Sequence, residues 1–332
     1  MALSIIDIGK MAGVSKSTVS RYLNGGYVSK ESSDKIKAIL DETGFVPQRQ
    51  AQSMRTRKTN LIGVIVPKIS TETTSRVVQG ITEVLSPKGY DVLIANTNLS
   101  IEKELEYLKL FKNNQVDGII FMATKINNEH IKIMNELKIP IVIVAQEVEG
   151  YPSVYHDDYD TGKKCTEFLL EKGHRNIGFI GIDESDISVG LRRKKGFLDA
   201  NKENKIELND EFLKIGDFSQ ESGYNATKEL MEAKNKPSAI FAVTDNMAVG
   251  AMEYLKENNY KIPDDVALIS IGDSTMSKVL TPKLTTVHYQ YKTSGMESGK
   301  ILLDLIENEI KSSKNILKNK KISSRLIQRQ SV

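Results

Sequence analysis

The sequence predicts an α/β protein in which a small all-α domain precedes a body of two doubly wound parallel sheets. The body is predicted because, from Leu61 onward, short and nearly continuous apolar segments alternate with amphipathic helical ones. Such segments are typical of parallel strands that are covered on both faces. The roughly 250 residues of this pattern fit two lobes better than one. The small domain is predicted because residues 1–60 show short helical patterns and are rich in basic side chains.

The net charge of +3 hides an uneven distribution of charge along the chain. Residues 1–60 carry ten basic and five acidic side chains, and residues 311–332 carry seven basic and none acidic. Residues 61–310 carry 29 basic and 38 acidic side chains. A basic domain on an acidic body is typical of a small domain that contacts a polyanion and a larger domain that does not. A solvated charged face is the alternative interpretation.

Three helices are predicted in the basic domain. Apolar residues at helical spacing predict the first over Ile5–Ala12, a second runs over Ser17–Leu23 after a break at Gly13, and a third runs over Lys30–Thr43. In a helix-turn-helix, such a joint sets the second helix steeply against the first, so that the second can enter the major groove of DNA.

Strands and helices are predicted in alternation along the body. The predicted strands are Ile62–Val66, Asp91–Ala95, Gly118–Phe121, Ile141–Val144, Ile177–Gly181, Ala239–Val243 and Ala267–Ile271. The predicted helices include Val77–Leu85, Glu102–Asn114, Thr161–Lys172 and Met247–Glu257. Ligands of such sheets bind beyond the carboxyl ends of the strands. The loops there offer carboxylates, arginine and an aromatic ring, which suit a sugar, although Asp157 and Asp245 can instead cap helices and Phe218 can belong to the core.

Several function classes are excluded by composition and motifs. The one cysteine, Cys165, excludes a disulfide framework and a cysteine-based zinc cluster. The sequence contains no zinc-protease motif, nucleophile elbow, P-loop or dinucleotide-binding glycine motif, and its four histidines lack metal-ligand spacing. We therefore expect no enzyme activity, no cofactor and no metal. No run of eighteen apolar residues and no signal-peptide pattern occurs, which predicts a cytoplasmic protein without a membrane span.

Positions 6–24 read Ile-Asp-Ile-Gly-Lys-Met-Ala-Gly-Val-Ser-Lys-Ser-Thr-Val-Ser-Arg-Tyr-Leu-Asn, which resembles the headpiece of the lactose-repressor family of bacterial transcription regulators. The likeness continues through Gly44-Phe45-Val46-Pro47 and Ala51-Gln52-Ser53-Met54-Arg55. It implies a helix-turn-helix headpiece over 1–46, a hinge helix and linker over 47–60, and a two-lobed effector-binding and dimerisation body over 61–332. That body would resemble periplasmic binding proteins, with one lobe over about 61–160 and 290–320 and the other over about 161–289 and 321–332.

The resemblance also implies which residues contact operator DNA. In the recognition helix these are Lys16, Ser17, Thr18, Ser20, Arg21 and Asn24, and in the hinge they are Ala51, Met54 and Arg55. The family usually wedges a leucine of the hinge between base pairs, and this chain has Met54 there. A methionine has the apolar bulk that minor-groove kinking needs. A homodimer on a pseudo-palindromic operator is implied as well.

In the body, the resemblance implies an effector site. Its residues are Lys68, Thr74, Gln146, Asp157, Arg193, Phe218, Thr244 and Asp273. Ungapped counting back from the strand at 284–287 places Gly272, and not Asp273, at the acidic position of the family. The likeness is greatest to the trehalose and sucrose repressor branches. The trehalose branch binds a phosphorylated disaccharide, and Lys68 with Arg193 can hold a phosphate, but Gln146 and Thr74 replace an arginine and a glutamate of that branch.

The expected function is repression of a sugar-utilisation operon under the control of a small sugar or sugar phosphate of the trehalose 6-phosphate or sucrose type. The alternative is a catabolite-control-type regulator that a phosphorylated protein partner activates. That branch presents basic residues on the helix after the strand at 284–287, where this chain offers Lys300. A sugar-processing enzyme or transport binding protein is disfavoured by the missing catalytic motifs and by the DNA-reading headpiece.

Overall fold

The computed structural model describes residues 3–23, 25–45, 58–113, 116–310 and 319–332. It separates into two compact units, Met1–Thr59 and Asn60–Val332. Four residues that are expected to contact DNA, namely Asn24, Ala51, Met54 and Arg55, lie outside the described residues. Within the described ranges, no helix is both long and apolar enough to cross a membrane.

The first unit contains three helices, α1 (Ile5–Ala12), α2 (Lys16–Leu23) and α3 (Lys30–Thr43). A capping box begins α1, because the Ser4 side chain accepts from the Asp7 N–H and the Asp7 carboxylate accepts from the Ser4 N–H. Helices α1 and α3 end at Gly13 and Gly44, whose left-handed φ of 66° and 60° favours glycine. Their small core consists of Ile8, Ala12, Val19 and Ile36. The predicted helices are confirmed, except that α2 begins one residue earlier than predicted.

Two six-stranded sheets form the second unit. The first has the order β11-β5-β4-β3-β1-β2, and all of its strands pair in parallel. The second has the order β12-β10-β9-β8-β6-β7 and is parallel except for the pairing of β12 with β10. The strands are β1 (Leu61–Val66), β2 (Asp91–Asn96), β3 (Gly118–Met122), β4 (Ile141–Val144), β5 (Ser153–His156), β6 (Ile177–Ile182), β7 (Leu213–Gly216), β8 (Ala239–Ala242), β9 (Ala267–Ile271), β10 (Thr285–Tyr289), β11 (Lys320–Ile322) and β12 (Ser324–Ile327). We call the parts built around these sheets the first and second lobes.

Helices cover both faces of the sheets. They are α4 (Glu72–Leu85), α5 (Ile101–Asn113), α6 (Asn128–Glu136), α7 (Asp158–Glu171), α8 (Arg193–Glu203), α9 (Gln220–Glu232), α10 (Asp245–Glu257), α11 (Thr275–Val279) and α12 (Tyr291–Ile310). A π-helix spans Ile187–Arg192. Alternate residues of β1 enter opposite cores, since Ile62 and Val64 pack in one hydrophobic cluster and Ile65 packs in the other. Burial on both faces explains why the strands read as nearly continuous apolar segments. The predicted α/β fold class is confirmed.

Helix α4 is held close to α12 by glycines. A Cβ atom on Gly80 would lie 2.1 Å from the Lys292 carbonyl oxygen, and one on Gly295 would lie 2.0 Å from the Val77 carbonyl oxygen. Both distances are far below van der Waals contact, so glycine is required at these crossings. The close packing anchors α4 against the first lobe and sets where its N-terminal turn lies.

The structure departs from the predicted elements where the sequence is polar. Helix α4 begins at Glu72 and not at Val77, because Thr71 caps a first turn that has no apolar spacing. The short strands β5 and β7 and the π-helix also lack apolar periodicity and were not among the predicted elements. The last strand, β12, spans Ser324–Ile327, and the buried Ser331 beyond it donates to the Leu268 carbonyl oxygen.

Candidate DNA-reading surface and ligand cavity

Helix α2 presents a polar surface at its N-terminal end. The Ser15 hydroxyl accepts from the Thr18 N–H at 3.1 Å and lies 2.7 Å from the Ser17 hydroxyl, which fixes the first turn. The predicted DNA-contacting residues Lys16, Ser17 and Arg21 are exposed, and Thr18 and Ser20 are half-buried. Val19 is fully buried on the opposite face. The described part of the recognition helix can therefore present its donors to base edges and phosphates.

Tyr27 is a further exposed residue of the first unit. It follows α2 and is 89% exposed, although an aromatic side chain usually buries much of its area. The turn before it is held by the Gly26 N–H, which donates to the Arg21 carbonyl oxygen at 2.9 Å. Its phenol hydroxyl is a suitable donor to a phosphate. Nothing in the sequence pattern points to Tyr27, because loop residues carry no periodicity.

A cavity of about 370 Å³ opens among the described residues of the second unit. Its volume lies in the range of small-molecule sites, roughly 300–1,000 Å³. Residues that follow the carboxyl ends of strands in both sheets line it, as expected for parallel α/β sheets. From the first lobe these include Lys68, Thr124 and Ala145, and from the second they include Phe218 and Thr244.

Five of the eight predicted effector-site residues line the cavity, namely Lys68, Thr74, Arg193, Phe218 and Thr244. Phe218 is held there with a φ of 73°, which is unusual for a residue other than glycine. Its carbonyl oxygen accepts from the Asn246 amide at 2.6 Å. Persistent backbone strain of this kind is concentrated at functional sites.

The other three predicted residues, Gln146, Asp157 and Asp273, are not part of the cavity wall. Gln146 is buried and donates to the Ala123 carbonyl oxygen at 2.8 Å. Asp157 caps α7 and lies 3.0 Å from the Lys321 ammonium group. Their neighbours Ala145 and Asp158 line the cavity instead.

Asp273 is occupied by groups of its own lobe. Its carboxylate bonds to the Arg329 guanidinium and lies 2.9 Å from His288 Nδ1, with the Lys278 ammonium at 3.5 Å. The Arg329 bond anchors the segment after β12 to the loop after β9. Gly272, the position that ungapped counting indicates, lies at the cavity wall.

Arg193 forms a buried ion pair beside the cavity. Its Nε donates to Asp158 Oδ1 at 2.8 Å, its Nη2 lies 2.8 Å from the same oxygen, and its Nη1 donates to the Val243 carbonyl oxygen. The guanidinium also lies 5.3 Å from the centre of the Tyr289 ring, whose hydroxyl donates to Asp158. Burial disfavours the charge of Arg193, but Asp158 outweighs it and raises the pKa of the guanidinium. Arg193 therefore stays charged and fixed in position.

Among the titratable residues that line the cavity but were not predicted as site residues, Asp186 and His156 have shifted pKa values. Burial, opposed by the Val189 N–H and Arg193, raises the pKa of the Asp186 carboxyl to about 6. His156 stacks on Tyr289 with ring centres 4.0 Å apart. Burial and the Arg193 charge lower the pKa of His156 to about 3, so its ring is neutral. Its Nε2 is buried and has no hydrogen-bond partner among the described residues.

Hydrogen bonds join the two lobes at the edges of the cavity. The Glu72 carboxylate accepts from the Thr275 N–H at 2.9 Å and from the Thr275 hydroxyl at 2.8 Å. On another side, the Ser188 hydroxyl donates to the Ala145 carbonyl oxygen at 2.7 Å. A ligand in the cavity would therefore contact both lobes beside the bonds that hold them together.

The described residues contain no group of three or more His, Cys, Asp or Glu side chains placed to hold a metal ion. Cys165 is fully buried, and burial raises the pKa of its thiol. A buried thiol of this kind is unreactive.

Comparison with known proteins relates both units to transcription regulators. Residues 4–48 match the model for bacterial regulatory proteins of the lacI family, and residues 166–332 match a periplasmic binding protein-like domain. The chain is 32% identical over 307 residues to the sucrose operon repressor of Staphylococcus xylosus, covering 92% of this chain and 95% of that protein.

Two solved structures are similar over nearly the whole chain. One is a complex of the transcriptional regulator CelR with cellobiose, with a TM-score of 0.75 and 25% identity over 99% of this chain and 100% of that one. The other is the lac repressor dimer bound to operator and the anti-inducer ONPF, with a TM-score of 0.88 and 23% identity over 100% of this chain and 99% of that one. Because the sequence identity to the lac repressor structure is 23%, that comparison shows a shared fold alone. The family predicted from the headpiece is confirmed, and the chain belongs to the LacI family of DNA-binding transcription regulators.

Proposed function

We propose that the protein represses a sugar-utilisation operon and that a small sugar or sugar phosphate in the cavity controls its affinity for a pseudo-palindromic operator. The observation that supports this most is the cavity itself, which is lined by both lobes and flanked by the bonds of Glu72 and Ser188 between them. A ligand that contacts both lobes binds their open and closed arrangements with different free energies. That difference is what coupling to a second site requires.

A sugar as the ligand is supported by the relatives and by the cavity wall. The sucrose operon repressor is 32% identical to this chain, and a structurally similar regulator is known in complex with cellobiose. The wall combines the Phe218 ring with the polar groups of Arg193 and Asp186. An aromatic ring can stack on a sugar ring while polar groups pair with its hydroxyls.

A titration of operator binding in the presence of sugars tests the proposal. The operator is first identified by selection from a random duplex library with the full chain. Its affinity is then measured by fluorescence anisotropy with and without sucrose, trehalose, cellobiose and their 6-phosphates. We expect at least one of these to change the operator affinity by about 5-fold to 150-fold, the usual range of allosteric coupling. If none of the six compounds changes the operator affinity, the proposal is contradicted.

Arg21→Ala tests the recognition helix. We expect the affinity for the selected operator to fall by about 10-fold to 100-fold, because a bidentate arginine–guanine contact contributes about 1–3 kcal/mol of discrimination. Lys202→Ala, which removes the same charge from an exposed position of α8 in the body, is the matched control. Equal affinities of the two variants in anisotropy titrations would show that Arg21 does not read the operator.

We propose further that the protein acts as a homodimer. The support is the edge strand β2, on which the neighbouring residues Leu93 and Ile94 point to opposite faces and are 39% and 43% exposed. Ile69 and Leu99, in the loops after β1 and β2, are 52% and 41% exposed. An apolar edge strand without a cover invites pairing with another chain.

Ile94→Glu is expected to give a monomer, because a charge buried in a dimer interface lacks compensation. Light scattering at micromolar concentration would measure the mass. Operator affinity should fall together with the mass, since one headpiece reads one half-site. Lys202→Glu, which places the same side chain at an exposed position of α8, should remain dimeric. If the Ile94→Glu variant remains dimeric, β2 is not part of the dimer interface.

Activation by a phosphorylated protein partner has less support. Both lysines in the described part of α12 are paired, Lys292 with Glu83 at 2.7 Å and Lys300 with Glu297 at 2.8 Å. A phosphoserine is normally held by a cluster of basic side chains that are free to bind it.

A further inference from the structure

The charges that line the cavity are dominated by carboxylates. Four acidic side chains lie in its wall, Glu72, Asp158, Asp186 and Asp245, against three cationic ones, Lys68, Arg76 and Arg193. His156 adds no charge, because burial and Arg193 keep its pKa near 3. Asp186 is ionised at neutral pH, because its pKa is about 6. The wall therefore carries no excess of positive charge.

Two of the three cations are already neutralised by carboxylates of the wall. The Arg193 guanidinium is paired with Asp158, and that of Arg76 with Glu72. Both pairs are supported by further bonds to the carbonyl oxygens of Val243 and Asp273. Their N–H groups that are not engaged in these bonds can donate to a hydroxyl, but neither pair has net charge to offer to an anion.

Helix N-termini are the other common means of binding anions, because their free N–H groups and dipole favour negative charge. Four of the helices that begin at this cavity carry a carboxylate of their own at that end, whereas α11 and α12, which also begin at its wall, have no acidic residue in their first turn. Glu72 lies in the first turn of α4, Asp158 and Asp245 are the first residues of α7 and α10, and Asp186 caps the π-helix.

Asp245 illustrates how firmly these carboxylates are held. It accepts from the Ser270 hydroxyl at 2.5 Å, from the Thr286 hydroxyl at 2.6 Å and from the Ser274 N–H at 2.6 Å. The Asp245 carboxylate is part of the chain and accepts three hydrogen bonds, so an incoming phosphate cannot displace it. The positive ends of these four helices are therefore neutralised within the protein.

Lys68 is the remaining cation of the wall. It is half-buried and has no ion pair among the described residues. One ammonium group balances about half of the charge of a phosphate dianion, which carries about −1.5 to −2 at neutral pH. It also faces the carboxylates of Asp186 and Asp245, which form no ion pair among the described residues.

We infer that the ligand of this cavity is an uncharged sugar and not a sugar phosphate. The inference rests on the proposed function for the identity of the site and adds the charge class of its ligand. Asp186 can accept from sugar hydroxyls, and the arginine pairs can donate to them, without any change in net charge. A phosphate ester would bring further negative charge to a wall whose carboxylates already repel an anion. Lys68 then serves as a hydrogen-bond donor to a hydroxyl.

Calorimetry on the full chain with matched pairs tests the inference. The pairs are sucrose, trehalose and cellobiose, each against its own 6-phosphate. In the pair that binds most tightly, we expect the free sugar to bind at least tenfold more tightly than its phosphate. Asp186→Asn should narrow that ratio by about tenfold, because it removes one negative charge near the ligand while asparagine still caps the π-helix. A tighter phosphate, or a ratio that Asp186→Asn leaves unchanged, would overturn the inference.

Inorganic phosphate provides a probe that does not depend on the identity of the sugar. Thermal unfolding is measured in phosphate and in sodium chloride of equal ionic strength, for the natural chain and for Lys68→Met. We expect the same difference in Tm between the two salts in both proteins. A stabilisation by phosphate that Lys68→Met removes would establish an anion site. That result would overturn this inference but leave the proposed function standing. Absence of binding by every sugar, free or phosphorylated, would remove the proposed sugar site together with it.

Discussion

Replacement of Arg193 by methionine is expected to lower the free energy of unfolding by about 3–5 kcal/mol, because breaking a buried ion pair leaves an uncompensated charge. Asp158 would lose its partner in an almost fully buried position, and the Val243 carbonyl oxygen would lose its donor. Sugar affinity should fall by at least about 100-fold, since the guanidinium lines the cavity. Chemical denaturation and calorimetry measure the two effects.

Two further variants separate the effect on stability from that on binding. The double variant Arg193→Met/Asp158→Asn removes both charges and should recover much of the lost stability, but not the sugar affinity. Lys194→Met breaks the neighbouring Lys194–Glu184 pair, which lies at the surface, and should cost about 0–1 kcal/mol. A single Arg193→Met variant as stable as Lys194→Met would refute the role of the buried pair.

Replacement of Glu104 by alanine is expected to cost about 3 kcal/mol of stability, without any change in the cavity. Glu104 lies on α5 and is 1% exposed, with its Oε2 3.1 Å from Nε2 of the fully buried His130 on α6. The other ring nitrogen of His130 lies 2.8 Å from the Asn127 side-chain oxygen at the start of α6. The substitution leaves His130 Nε2 buried without a partner and opens a void between the two helices.

Denaturant unfolding of matched variants would measure this loss. Glu104→Gln keeps an oxygen acceptor for His130 and should cost clearly less than Glu104→Ala. Glu106→Ala, at an exposed position of the same helix, should change stability by no more than about 0.5 kcal/mol. Operator affinity at a temperature where all variants are folded should be the same. Equal stability of Glu104→Ala and Glu106→Ala would show that the buried pair contributes nothing.

The headpiece could be predicted almost to the residue, because its determinants are local. Apolar residues at helical spacing and the glycines at positions 13 and 44 define where α1 and α3 lie and end. The buried strands of the body were equally visible, since both of their faces enter a core. The π-helix at Ile187–Arg192 was not, because its backbone is determined by the Asp186 cap and by bonds of Ile187 and Ser188 to the first lobe.

The candidate site was predictable in part. Arg193 and Phe218 were implied by the family resemblance, and both line the cavity. Asp157 and Asp158 are neighbours of the same type, and no local pattern distinguishes them. The structure shows that Asp157 caps α7, whereas Asp158 faces Arg193, which is 35 residues away.

The sequence by itself determined the family, the basic headpiece and the alternation of strands and helices, because each depends on residues that are close together along the chain. The tertiary structure alone decided which charges meet at the cavity. Four helices that start in distant parts of the chain each place a carboxylate at the cavity. Arg76 and Arg193 form ion pairs with two of these carboxylates. Electrostatic balance depends on distances between such groups, and spacing along the sequence does not contain those distances.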